Sequence, residues 1–189
     1  GLGNHGIWGH GLPYEDTIYI PFIIWRPGLL PSGLRVKGFA QHIDIAPTIL
    51  ELLGMNANDG STSCRLGDRY PWQEKGRGDA EVRMEGRSLL PVIEGKAVLP
   101  DSMVTEVRRG PKDPGYRVLR EKDWKLIENL AGEKQLYNIP DDPMEKVNLA
   151  GKEREQAAEM SAKLASWVNA RLGEDRQDPM RIWPPPEKK

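Results

Sequence analysis

The chain has 189 residues, 38% hydrophobic and 29% charged, with a net charge of −1, a make-up that suits one globular domain with a sizeable core, or one domain plus a small appendage. Near-neutral charge excludes the electrostatic footprint of a nucleic-acid binder, so no nucleic-acid partner is expected. A lone cysteine, Cys64, excludes an internal disulfide or a paired-cysteine metal clip, and the longest apolar run, Tyr19 to Trp25, is too short for a membrane span.

Residues 1 to 16 read as a glycine-rich loop. His5 and His10 stand in Asn4-His5-Gly6-Ile7-Trp8-Gly9-His10-Gly11. Imidazole can ligate a metal, donate to an oxyanion or move a proton near neutral pH. The surrounding glycines let backbone approach a ligand and offer N–H groups to an anion. Those same glycines oppose a helix, so H-x4-H is not a helical zinc pair, and a solvated surface loop is the plain alternative. Glu15 and Asp16 follow. Adjacent carboxylates on extended backbone point opposite ways, which suits turn stabilisation better than paired acid–base work.

Residues 17–25, TIYIPFIIW, predict a strand. The unbroken apolar run Phe22 to Trp25 predicts that both its faces are covered, as in a parallel α/β sheet. Arg26-Pro27-Gly28 ends it. The next stretch, HIDIAPTILELLGM, predicts a helix over 45–53. Asp44 is placed to cap it, Pro47 is tolerated in its first turn, and Gly54 stands at C′. Ile45, Ile49, Leu52 and Leu53 form its apolar stripe.

Residues 55–83 are polar and read as a long excursion. It holds Cys64 near Arg65 and Arg69, with no histidine close in sequence, the pattern of an incidental thiol. Residues 85–93 read as a turn and a short apolar patch. From 103 the segments MVTEVRR, YRVLREKDWKLIENL and KQLYNI read as short strands joined by tight polar turns, hence an antiparallel sheet. Asp141, Asp142 and Glu145 lack the alternating ligands and central glycine of an EF-hand calcium loop, and read as turn and helix-start acids. A helix over 152–172 presents Ala157, Met160, Leu164, Trp167, Val168 and Leu172 on one side. The tail carries three consecutive prolines and reads as extended. The fold expected is therefore the end of an α/β sheet over 1–100, a small α+β subdomain over 101–173 with an antiparallel sheet and C-terminal helix, and a tail over 174–189.

Six stretches in order resemble the sulfatases of the alkaline-phosphatase-like superfamily. Leu2-Gly3-Asn4-His5-Gly6-Ile7-Trp8-Gly9-His10-Gly11 resembles L-G-x-H-G-x-W-x-K-G. Tyr14-Glu15-Asp16, with Ile20-Pro21-Phe22-Ile23-Ile24 and Arg26-Pro27-Gly28, resembles Y-E-[ED], V-P-L-I-I and W-P-G. His42 to Leu50 resembles H-x-D-[IL]-x-P-T-[IL]-L, and Glu85 to Pro91 resembles [DE]-G-[RK]-S-L-L-P. Trp124-Lys125-Leu126-Ile127 resembles W-K-L-I, and Gln135 to Ala150 resembles E-L-Y-[DN]-L-x-x-D-P-x-E-x-x-N-L-A.

The resemblance implies a C-terminal portion of a sulfuric ester hydrolase whose formylglycine nucleophile, in C-x-P-S-R, and calcium ligands lie upstream of Gly1. No cofactor is then expected in this chain alone, and the fragment alone is expected to be inactive. The implied partners are a sulfated small molecule or carbohydrate and the N-terminal half of the same protein. His10 stands where the family has a sulfate-binding lysine, a departure, since histidine has a reference pKa of about 6.5 and holds its charge only below it. His5 matches the loop histidine and is expected to orient the loop or touch substrate. Asp44, Asp142 and Glu145 match positions expected to be structural. Two other readings stay open: a non-catalytic carbohydrate-binding or assembly domain, and a parent acting on phosphate or phosphonate esters, because the fold alone does not decide between these chemistries. The family leans periplasmic or secreted; the residues themselves do not fix a compartment.

Overall fold

The computed structural model describes residues 4–6, 8, 11–55, 84–108, 113–172, 178 and 180. The chain divides into two compact units, residues 25–100 and residues 1–24 with 101–189.

The second of these is built on four antiparallel strands in sequence order: β1 (Ser102–Val107), β2 (Tyr116–Glu121), β3 (Trp124–Asn129) and β4 (Lys134–Asn138). Short connections join β2 to β3 and β3 to β4. The hairpin between β2 and β3 pairs Glu121 with Trp124, leaving Lys122 and Asp123 as its turn, with Lys122 at φ 48°. Strand alternation sorts the side chains onto two faces. Leu119, Leu126 and Leu136 lie in register on one face and pack against Ala157, Met160 and Leu164 of the long helix over Arg154–Leu172. This helix starts two residues later than expected. Of its predicted stripe, Trp167, Val168 and Leu172 are half-buried.

The other face carries Val118, Ile127 and Tyr137, and it too is covered. Tyr14 and Ile18, at the ends of a one-turn helix α1 (Glu15–Ile18), pack on it. Consecutive apolar pairs, Val118-Leu119 and Leu126-Ile127, follow from this two-sided burial.

Residues 17–25 do not form the expected strand. Backbone N–H groups of Thr17 and Ile18 bond to Tyr14 O, closing α1. From Tyr19 the chain runs on with no ladder, and Ile23 and Trp25 are 84% and 83% exposed. A strand needs a neighbour to take up its N–H and C=O groups, and β1–β4 is the one sheet among the described residues.

In the other unit the helix expected over 45–53 is α2 (Ile45–Leu52), followed by one turn, α3 (Leu90–Ile93). Asp44 does not cap α2 through its side chain. Its backbone is already helical, at φ −80° and ψ −13°, and an N-cap side chain bonds inward from an extended conformation. The buried carboxylate instead accepts Gln41 N–H at 2.9 Å and Arg87 N–H at 3.0 Å, joining two segments far apart in sequence. Thr48 Oγ1 accepts Leu89 N–H at 2.9 Å beside it. The predicted apolar stripe is not the buried side of α2. Pro47 and Thr48 are buried, while Ile49 and Leu53 are exposed. The long helix over Arg154–Leu172 is α4.

Candidate functional site

His5 sits in a three-residue turn, Asn4–Gly6, at φ 54° and ψ 24°. A left-handed backbone is uncommon outside glycine. Its imidazole lies flat on the Tyr14 ring, with centroids 3.7 Å apart and planes 8° from parallel. Tyr14 in turn meets Tyr137 edge-on at 6.4 Å. Both phenols donate to one acceptor, Gln135 Oε1, from 3.1 Å for Tyr14 and 2.9 Å for Tyr137. Burial pushes the Tyr137 phenol well above its ordinary range, so it stays a neutral donor.

The next residue, Glu15, reaches under this stack to Lys125, at 3.1 Å. Lys125 rises from β3 on the same face as Ile127, opposite Tyr137 across the ladder, and is completely buried. Its Nζ also contacts Glu145 Oε1 at 2.7 Å. The second oxygen of Glu145 accepts the Glu15 backbone N–H at 2.5 Å. Arg120 lies 3.7 Å from Glu15, and burial lowers its pKa against the pull of Glu15. Two cations and two carboxylates thus balance in a largely buried cluster between α1 and the sheet.

Glu145 is not a helix-start acid, since α4 begins only at Arg154. It is buried, at φ 52°, and aimed at Lys125. Nor is Glu15 merely solvating a loop. Asp142 lies in the turn just before Glu145, where its Oδ2 accepts Val147 N–H at 2.8 Å. Asn148 Oδ1 accepts Leu136 N–H at 3.0 Å, fixing the segment to β4. Lys125 was missed in the sequence because a lysine in an alternating strand reads as solvent-facing.

Partial burial works to raise the Asp142 pKa, but the N–H groups of Val147 and Lys146 overcome it, helped by the charges of Lys146 and His5, and its carboxyl is held below the ordinary value. A depressed carboxylate contributes stability that is present above its unfolded pKa and lost as pH falls through its folded pKa. Asp142→Asn is therefore expected to be destabilising at pH 6 and to converge on the parent as pH falls below about 4, near the carboxylate reference value. Urea denaturation at both pH values checks this; a difference that does not shrink on acidification contradicts it.

His10 and Cys64 lie outside the described residues. Trp8 is exposed. Asp44 lies in the other unit, in the bridge between residues 41 and 87. Among the described residues no three of His, Cys, Asp and Glu converge as a metal cage would require. No helix among them is long and apolar enough to cross a membrane.

Residues 1–55 match the sulfatase family model. An arylsulfatase of Clostridium perfringens is 26% identical over 155 residues, which cover 80% of this chain and 27% of that protein. A choline-sulfatase of Rhizobium meliloti is 26% identical over 79% of the chain and 25% of its own length. The chain spans about a quarter of the length of these curated relatives. Among solved structures, one of a protein in complex with its substrate D-glucosamine-2-N,6-O-disulfate superposes with a TM-score of 0.67 over 93% of this chain and 33% of that one, at 22% identity. The two share a fold.

Proposed function

We propose that this chain, similar to sulfatases along about four fifths of its length, is a C-terminal portion of a sulfuric ester hydrolase. It carries the loop that meets the sulfate group and the subdomain on which that loop rests. The observation that carries the reading is the position of His5. It lies inside the segment that matches the family model, stacked on Tyr14 directly over the sheet.

In this reading His10 donates to a non-bridging sulfate oxygen and His5 orients the loop around it. A donor aimed at an oxygen where negative charge builds lowers the barrier most in a dry site. The nucleophile and the divalent cation, calcium by family resemblance, would be held by other parts of the parent and would supply attack on sulfur and charge neutralisation; the histidines of this chain hold and orient. A sulfated carbohydrate is the substrate class we place first, in keeping with a structural neighbour solved on a disulfated glucosamine. The apolar side chains exposed on residues 19–25 and on α2 favour a part of a larger fold over a free-standing binding domain, because soluble surfaces rarely leave large apolar patches bare.

The test is hydrolysis of an aryl sulfate by the full-length protein that contains these residues, with its His10→Lys and His10→Ala variants. Loss of a charge-assisted hydrogen bond predicts a roughly tenfold or greater fall in kcat/KM for His10→Ala. The parent's KM is expected to rise above about pH 6.5, where a reference histidine loses its charge, and to stay flat there in His10→Lys. Absence of sulfatase activity, or a His10→Ala enzyme indistinguishable from the parent, overturns the reading.

A further inference from the structure

We propose that the buried cluster of Lys125, Glu145 and Glu15 is a tether that sets the position of the His5 loop, making Lys125 and Glu15 positioning residues for the site described above. The functional meaning of this inference rests on the reading of residues 4–11 as sulfate-facing; the tether itself does not.

Stability of the sheet does not account for the cluster. The neighbouring row of the same face carries Val118 paired with Ile127, and an apolar side chain at 125 would continue that surface. Replacing a buried ion pair by apolar residues of similar volume is often neutral or favourable, because desolvation offsets much of the attraction. What a charged cluster adds over an apolar one is direction, since its partners must meet at particular atoms.

Two of the three contacts are directed at the segment that follows the histidine loop. Glu145 uses one oxygen on Lys125 and the other on the Glu15 backbone N–H. The Glu15 carboxylate returns to Lys125 from the other side. Glu145 also holds a left-handed backbone, at φ 52°, a conformation unfavourable for an L side chain. Residue 15 is therefore fixed at both its backbone and its side chain by groups more than a hundred residues away. Tyr14 is its immediate neighbour, and Tyr14 is the surface on which His5 lies. Fixing Glu15 orients Tyr14, and Tyr14 orients His5.

The experiment is proton NMR of the full 189-residue chain without added sulfate. An imidazole lying face to face with a phenol ring has its carbon-bound protons displaced upfield, and a Tyr14→Leu variant supplies the undisplaced position. Glu15→Gln removes one carboxylate charge while leaving Lys125 and Glu145 paired. Its His5 protons are expected to move to the Tyr14→Leu position while the Leu126 and Met160 methyl signals keep their folded dispersion. Glu15→Asp, with its charge retained, is expected to restore part of the displacement, and Lys125→Met is expected to abolish it. Full displacement in Glu15→Gln overturns the tether. So does loss of methyl dispersion in that variant, because the cluster would then belong to the core. Inorganic sulfate is added last. His5 and His10 signals that ignore it count against the sulfate reading and leave the tether result standing.

Discussion

Gly86→Ala is expected to detach residues 85–89 from the 41–48 segment. A β-carbon on residue 86 would stand 1.9 Å from the Ile43 carbonyl oxygen, 2.3 Å from its carbon and 2.9 Å from Asp44 N. All three are backbone atoms, so no rotamer change relieves the clash and the two segments must separate. Separation breaks the bonds from Arg87 N–H to Asp44 and from Leu89 N–H to Thr48, leaving a buried carboxylate short of a donor. Overpacking alone costs about 1–3 kcal/mol and more where nothing can yield; a loss of about 3 kcal/mol or greater is expected here. Gly95→Ala is the comparison. Its β-carbon would meet nothing within 4 Å, but its φ of 73° is strained for alanine, at a cost of about 1–2 kcal/mol. Hydrogen exchange reads the difference locally. Arg87 and Leu89 amides should lose protection in Gly86→Ala, while Val118 and Ile127 keep theirs. Equal effects from the two substitutions would refute the close-approach role of Gly86.

This approach also shows what was readable in the sequence. Glu85-Gly86-Arg87-Ser88 was visible as a motif, but nothing in the string says that its glycine faces the backbone at Ile43. Periodicity located the elements that are satisfied locally or by their neighbours in sequence: α2, the three hairpin-linked strands β2 to β4, and α4. It misled at residues 17–25. There the composition suits a strand, yet composition does not supply the partner that a strand requires, and the described chain supplies none. It misled again at α2, where a stripe of the right spacing is partly exposed.

The charged residues were misread for a related reason. Lys125 follows Trp124 in an alternating strand, and alternation assigns it to water only if that face is bare. Residues 14–18 cover it. A hint was present, since Val118-Leu119 and Leu126-Ile127 put apolar residues on both parities of two adjacent strands, the pattern of a sheet buried on both sides. Read that way, an intervening lysine needs carboxylates, and Glu15 and Glu145 lie in the other stretches of the same resemblance.

The cluster's energetics can be separated from its directional role by one more substitution. Glu145→Leu leaves Lys125, with no exposed surface, facing Glu15 alone, and strands the Glu15 N–H. Removing one partner of a buried pair costs about 3–5 kcal/mol, because the remaining charge stays desolvated. The double variant Lys125→Met with Glu145→Leu removes both charges. Arg120 still faces Glu15, which lies nearer the surface, so most of the loss should return. The expected order of stability in urea is parent, then double variant, then Glu145→Leu, with a favourable coupling between the two positions. A Glu145→Leu chain within about 1 kcal/mol of the parent, the scale of an exposed pair, would mean that water reaches Lys125. A double variant as unstable as the sum of its singles would mean that the two side chains contribute independently. If instead the double variant regains stability but its His5 protons stay at the Tyr14→Leu position, the cluster's contribution is placement of the loop, separable from the stability of the sheet beneath it.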